Sequence, residues 1–416
     1  MRAIVLSGGG AKGAYELGVW KALKELNITY DIVTGTSVGA LNGAFMVQND
    51  YLKALSMWQN INFDMVFQTD FSGNLNTFDG IKELIAIYGK GILNGGMDVH
   101  NLEKTIDRYI NLDKFYQSNI EYGLVTVNLS NLTSITLTKR EIPRDKLKDY
   151  LMASATCFPA FKTKKINGDN YIDGGYYDNM PIDLAVSMGA TEVIAVDIGG
   201  KGIFPKKKKH YSIPVTYIKP RNDIGSFLVF DKNLAIRNIA LGFNDTMKVY
   251  EKYEGTLFTF YKTELDRIID HHSKQIKKEL RNILQGFDRD RITMKDLFQL
   301  KQYQELLNDQ NKYTKLMKEV VELLGISLEI DITKVYKRSS YEAAIKNYYK
   351  KIPTINMKEV RHKIMNKKYS DLFHSKIVIK YIYQLFTQYY QSDFVLLMLL
   401  FKKEFMAALY LKVLLG

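Results

Sequence analysis

"AIVLSGGGAKGAYELGVWKALKELNITYDIVTGTSVGALNGAF", residues 3–45, holds two strand-to-helix turns in quick succession. Residues 2–7 form a continuous apolar run that ends on glycines, the pattern of a buried strand. From Ala14 to Leu26 the residues Leu17, Trp20, Leu23 and Leu26 recur at helical spacing, with Glu16, Lys21, Lys24 and Glu25 between them. "YDIVTGTSVG" (30–39) gives a second strand ending in a tight turn, and "ALNGAFMVQND" (40–50) continues as a helix. Strand, helix, strand, helix implies a parallel sheet with covering helices and a right-handed crossover.

Gly8, Gly10 and Gly13 also satisfy the G-x-G-x-x-G template of a dinucleotide turn, with Asp31 near the expected position of an acidic partner. In that fold the acid closes the second strand, where it meets the ribose. Asp31 instead opens its strand, and Thr36-Ser37 occupies the end. A tight phosphate loop of the Walker type fails as well, because Lys12 is followed by Gly13 and not by Ser or Thr. The cofactor reading therefore ranks far below one in which the loop's amides meet some other negative charge.

Gly35-Thr36-Ser37-Val38-Gly39 fits the nucleophile elbow, Gly-x-Ser-x-Gly. Small residues two places either side of Ser37 let the chain turn sharply and leave the hydroxyl exposed at a helix start. A serine nucleophile needs a base. Of the six histidines (His100, His210, His271, His272, His362, His374), none sits at a strand end followed by a turn, and all are read as surface or packing residues. Asp173, in "YIDGGYYDNMP", ends a short strand, and Gly174-Gly175 behind it leaves room for close approach. Taken alone, an Asp-Gly pair is more often just a turn.

Further along, "EYGLVTVNLSNLTSITLTKR" (121–140) alternates as a hairpin turning at "NLSN". "KLKDYLMASAT" (146–156) reads as a helix and "MGATEVIAVDIG" (188–199) as a strand after a helix end. Residues 60–100 are aromatic and weakly patterned, and are taken as a helical excursion in preference to a mobile lid. After about residue 260 strands largely disappear and Lys- and Tyr-rich helical stretches take over. Ile377, Tyr381, Ile382, Leu385, Phe386 and Tyr389 form one stripe. The tail, "FVLLMLLFKKEFMAALYLKVLLG" (394–416), has membrane-span length, but Lys402, Lys403 and Glu404 fall near its middle. Each central charge costs roughly 2.5–3.5 kcal/mol on insertion, so a helix docked on the catalytic part is expected instead, ahead of a dimer contact and then an interfacial membrane helix.

Residues 1–200 carry 18 basic and 22 acidic side chains, and residues 201–416 carry 40 and 23, so the net charge of +13 lies wholly in the second half. Such a surface favours polyanions, although "PKKKKH" (205–210) by itself reads as a solvated face. Aromatic residues are not clustered with the basic runs and no nucleic-acid module is discernible, so no nucleic-acid partner is expected. One cysteine, Cys157, excludes an intramolecular disulfide framework. With no apolar leader pattern at the N-terminus, a cytoplasmic location with peripheral membrane contact through the basic half is the expectation.

Together, the glycine loop (Gly8, Gly9, Gly10, Ala11, Lys12, Gly13), the Gly-x-Ser-x-Gly and the distant Asp-Gly-Gly resemble the patatin-like phospholipase family. "MASATCFPAF" (152–161), "DGGYYDNMPIDLAVSMGATEVIAVDIG" (173–199) and "IRNIALGFNDTMK" (236–248) extend the likeness over about residues 1–260. The resemblance implies an α/β, three-layer fold with a mainly parallel sheet flanked by helices, as a catalytic domain at 1–260. A mainly α-helical region at 261–416 departs from the family pattern. It also implies a phospholipase A type acyl hydrolase with Ser37 as nucleophile and Asp173 as general base. Gly35, Gly39, Gly174 and Gly175 would support the two turns. The backbone of Gly8, Gly9, Gly10, Ala11, Lys12 and Gly13 would hold the oxyanion. No cofactor and no metal is implied, and the partner is a phospholipid or another fatty-acyl ester. A non-phospholipid carboxylesterase or lysophospholipase is the alternative, ahead of a dinucleotide-binding protein or a silent membrane-associated scaffold.

Overall fold

The computed structural model describes the chain apart from residues 69–70, 72, 74–76, 201–210, 287–293, 367–374 and 389–393. The basic run at 205–210, His210, His374 and Tyr389 therefore lie outside the described residues, as does part of the 60–100 excursion. Two compact units are present, Met1–Tyr250 and Glu251–Gly416.

In the first unit, β1 (Arg2–Leu6), β2 (Ile32–Thr36), β3 (Glu121–Asn128), β4 (Thr133–Thr138), β5 (Lys164–Ile166), β6 (Asp169–Asp173), β7 (Glu192–Val196) and β8 (Val215–Ile218) make one sheet. Strands β3, β2, β1, β7 and β8 pair in parallel in that order. The hairpin partner β4 and the strands β6 and β5 are antiparallel additions around β3. Ala3, Ile4, Val5, Ile32 and Val33 are wholly buried, as a parallel sheet covered on both faces demands.

The helices that flank this sheet are α1 (Ala14–Glu25), α2 (Val38–Val47), α3 (Tyr51–Gln59), α4 (Phe78–Leu93), α5 (His100–Tyr109), α6 (Leu112–Gln117), α7 (Leu147–Ser154), α8 (Ile182–Ser187) and α9 (Lys232–Val249). Within the 60–100 excursion, the described residues include the helix α4. α9 packs tightly on α1. A Cβ at Gly18 would collide with the carbonyl of Ile239, and one at Gly242 with that of Tyr15. The same contact is sealed by the Tyr15 hydroxyl, which donates to Asp245 at 3.1 Å, while Asp245 also pairs with buried Lys248.

The second unit joins a small sheet, β9 (Tyr253–Glu254), β10 (Thr259–Tyr261) and β11 (Val335–Tyr336), to eight helices among its described residues. These are α10 (Glu264–Gln285), α11 (Met294–Asn308), α12 (Gln310–Ser327), α13 (Arg338–Tyr349), α14 (Met357–Met365), α15 (Ser375–Gln388), α16 (Phe394–Leu400) and α17 (Lys402–Leu415). Tyr381, Ile382, Leu385 and Phe386 of the expected stripe are buried in its core. The tail departs from expectation. It is two helices, broken at Phe401 (φ −132°, ψ 53°), and Phe405, Met406 and Leu409 are buried in the core of this unit. The three charges sit at the break, where Lys403 reaches Glu319 at 2.8 Å. Among the described residues no helix is long and apolar enough to cross a membrane.

Gly242→Ala tests the α1–α9 contact: the new methyl must displace backbone, so a loss of about 1–3 kcal/mol is expected. Urea unfolding should show the midpoint falling with the slope unchanged.

Candidate active site

Strand β3 has two edges. β4 takes one of them along Gly123–Asn128, so β2 and β6 must share the other. β2 rises in parallel until Thr36 pairs with Val125, and β6 descends until Asp173 pairs with Thr126. The two strands thus end head to head on adjacent residues of β3. Ser37 and Asp173, 136 positions apart in sequence, meet there, close enough for the serine side chain to bear on the Asp173 carboxyl.

Ser37 has φ 57° and ψ −128°, a backbone state that a side chain other than glycine's rarely takes. Glycines make the turn possible. A Cβ at Gly35 would strike the backbone of Gly39, and one at Gly39 would strike the carbonyl of Leu6 on β1. The turn is then locked by Ser154: the Ser37 N–H donates to Ser154 Oγ at 2.9 Å, and Ser154 Oγ donates to the Val125 carbonyl at 2.7 Å. Helix α2 starts on the next residue and directs the positive end of its dipole at the serine.

Asp173 is 6% exposed. Its backbone N–H donates to the Thr156 carbonyl at 2.8 Å, and its Oδ1 accepts from the Gly175 N–H at 2.7 Å. Burial pushes its carboxyl up to about 6, against the opposing pull of the Ser37 and Gly175 donors. A Cβ at Gly174 would collide with the Val125 carbonyl, which is how the chain passes so close beneath the elbow.

Six consecutive residues of the glycine loop do not contribute alike. The Gly8 N–H donates to the Asn179 carbonyl (3.1 Å), Ala11 to the Phe227 carbonyl (2.8 Å) and Lys12 to the Gly9 carbonyl (3.2 Å). Gly13 lies inside the short 3-10 turn Gly10–Gly13. The N–H groups of Gly9 and Gly10 donate to no acceptor among the described residues. Lys12 Nζ reaches the Gly199 carbonyl at 3.4 Å.

Residues outside the motifs hold these loops together. The Asn179 side-chain amide donates to the carbonyls of Gly8 (3.3 Å) and Gly200 (2.9 Å), tying the aspartate loop to the glycine loop. Buried Thr34 and Thr36 on β2 donate to the carbonyls of Pro181 (3.0 Å) and Asp178 (2.7 Å). Sequence reasoning assigned no role to Asn179, Ser154, Thr34 or Thr36. The only signals were the Asn-x-Pro after Asp-Gly-Gly and the Ala-Ser-rich segment at 152–156.

Above Ser37 and Asp173 opens a cavity of about 550 Å³. Its walls are mostly apolar, with Leu41, Phe45, Trp58, Ile106, Phe161 and Phe230 prominent, and no described residue lining it is a histidine. Cys157 also lines it, and burial pushes its thiol up to about 11, so it is not a thiolate at neutral pH. Asp31 lies at the other end of the strands, accepting from the Arg2 N–H at 2.8 Å where β1 begins, away from the glycine loop where β1 ends. Among the described residues no group of three His, Cys, Asp or Glu side chains could hold a metal ion.

An acid whose carboxyl is raised by folding favours the folded state while protonated and loses that advantage as pH rises. From the ordinary Asp value of 3.8 to about 6, ionisation of Asp173 costs the fold about 3 kcal/mol above pH 6. Asp173→Asn, which cannot ionise, should therefore melt higher than the wild type at pH 8. The gap should close towards pH 4, as read by circular dichroism.

Residues 4–186 match the family model described as patatin-like phospholipase. Lysophospholipase NTE1 of Mycosarcoma maydis is 28% identical over 208 residues, which is 47% of this chain and 10% of that protein. Patatin-like phospholipase domain-containing protein 6 of Homo sapiens is 30% identical over 204 residues, 48% of this chain and 13% of that protein. This chain thus spans only a small part of either relative. Among solved structures, VipD from Legionella pneumophila aligns over 99% of this chain and 90% of that one, with 13% identity and a TM-score of 0.38, too low to carry an argument. The segment 4–186, which holds the glycine loop, the serine elbow and the Asp-Gly-Gly turn, belongs to the patatin-like phospholipase family.

Proposed function

We propose that the first unit is a serine acyl hydrolase of phospholipase A type, cleaving fatty-acyl esters of glycerolipids with a Ser37–Asp173 dyad. The observation that carries this is a strained serine set beside a buried carboxylate on the floor of an apolar cavity.

In this chemistry Ser37 Oγ attacks the ester carbonyl while its proton passes to Asp173. The carbonyl oxygen becomes an oxyanion, and the Gly9 and Gly10 amides, committed to no described partner, supply fixed donors for it. Collapse of the tetrahedral intermediate breaks the ester C–O bond, and the departing alcohol takes the proton from Asp173. Water then gives a proton to Asp173 and attacks the acyl-serine. The second collapse frees the fatty acid and returns that proton to Ser37. Asp173 can accept a proton because burial brings its carboxyl near neutrality, where general-base catalysis is efficient.

A lysophospholipid is the second substrate reading. The name of the Mycosarcoma maydis relative and a cavity sized for one small-to-medium ligand both favour it.

Ser37→Ala should remove hydrolysis of chromogenic fatty-acyl esters and labelling by a fluorophosphonate probe. Asp173→Asn should lower kcat by about 10⁴ or more, since dyad members act as a unit. The kcat/KM of the wild type should rise with pH through about 6, as Asp173 loses its proton, and then level off. Full activity in both variants would overturn the dyad. Comparing diacyl and monoacyl phospholipids separates the two substrate readings.

A further inference from the structure

Helix α4 has two apolar faces. Leu84 and Tyr88 point inward and are buried, and the Tyr88 hydroxyl donates to the Leu228 carbonyl at 2.9 Å. On the outer side stand Phe78, Ile85 and Ile92, 71%, 65% and 44% exposed, with Leu93 beside them at 87%. Their spacing of seven residues is close to two helical turns, so they form one line along the helix. A helix on the surface of a water-soluble unit needs one apolar stripe, not two, and a row of large exposed apolar side chains marks a contact surface.

What that surface would contact is indicated by its side chains and its position. The charged residues of the helix are Asp79, Lys82, Glu83 and Lys90, two of each sign, so no net charge of its own selects a charged partner. The Lys82 ammonium lies 4.4 Å from the centre of the Phe78 ring. Long polar side chains beside exposed apolar ones suit a boundary between hydrocarbon and headgroups. Ile92 belongs to both places: it lines the cavity above Ser37 and is exposed on the outer row. Phe227, 41% exposed, is likewise part of the cavity wall. The apolar row therefore runs on into the wall of the cavity.

We propose that the outer face of α4 docks on a lipid surface and sets the mouth of the cavity against it. The proposal rests on the acyl-hydrolase reading. An acyl chain drawn from a bilayer then passes from one apolar environment to another without crossing water, which would be unfavourable for every methylene exposed.

Sedimentation with vesicles of phosphatidylcholine, alone and mixed with phosphatidylglycerol, tests this with the full chain. The wild type should pellet with both. In the double variant Ile85→Asp with Leu93→Asp, neither of which lines the cavity, binding should fall by about tenfold or more, and hydrolysis of vesicle lipid with it. Hydrolysis of a water-soluble short-chain ester and the melting temperature should stay unchanged. Undiminished pelleting of the double variant, or no pelleting of the wild type, would overturn the proposal. So would a wild-type dimer in light scattering that the double variant dissociates, which would make the face a contact between copies. Absence of soluble-ester hydrolysis in the wild type would instead strike the enzymatic reading and leave the vesicle result standing.

Discussion

The backbone of Ser37 is the constraint on which the rest of the first unit depends. A serine at φ 57° is unfavourable by an amount of order 1–3 kcal/mol, and it persists only where its surroundings leave no alternative. Three features do so here. Gly35 and Gly39 let the two limbs of the turn touch, Gly39 nests against the Leu6 carbonyl of β1, and Ser154 bridges the Ser37 N–H to β3. Each comes from a different element, so the strained turn can be relaxed only by pulling β1, β3 and α7 apart. The pairing of Leu6 with Gly35 sets the level at which β2 runs out beside the glycine loop.

The same economy governs the polar groups around the turn. Buried threonines on β2 donate to the carbonyls that follow Asp173, and Asn179 bonds both to Gly8 and to Gly200. Each such bond gives a carbonyl of the turn a side-chain donor. The amides left over are therefore informative. Gly8 and Ala11 bind the loop to its neighbours and Lys12 closes it on Gly9, while Gly9 and Gly10 stay uncommitted among the described residues. A glycine-rich loop that needed all its amides for its own fold would have none to offer a ligand.

Much of this was legible in the sequence, and the limits follow from sequence separation. The strands and helices of residues 2–50 show their periods locally, and the structure returns them as β1, α1, β2 and α2. The hairpin at β3 and β4 was equally open to reading, since alternation and turn lie within one short segment. Ser37 and Asp173 could be singled out because each carries its own glycine signature. Their meeting could not be derived, because it depends on two strands sharing one edge of β3. Ser154 and Asn179 each have one partner more than a hundred residues away, Ser37 and Gly8, and the short patterns around them do not say which distant strand or loop they would meet. The tail was legible only in part: Lys402, Lys403 and Glu404 interrupt its apolar run in sequence, but only packing shows that the helix breaks beside them at Phe401 and that both pieces enter the core of the second unit. The exposed row on α4 has the periodicity of an ordinary amphipathic helix, and packing alone reveals which of its two stripes faces inward.

The burial of Asp173 links stability to the chemistry proposed for the site. A solvated aspartate, near 3.9, is too weak a base to take a proton from a serine hydroxyl at neutral pH. A histidine solves this in the familiar triads, but no described histidine lines this cavity. Here the apolar surroundings of the carboxylate serve instead, raising it to about 6 at the expense of the folded state. The two donors that oppose the rise, Ser37 and the Gly175 N–H, keep the group from being lifted so far that it would stay protonated. One of those donors is the proposed nucleophile itself. The contact that tempers the base is then also the path along which the proton would move, so its geometry sets both basicity and direction of transfer.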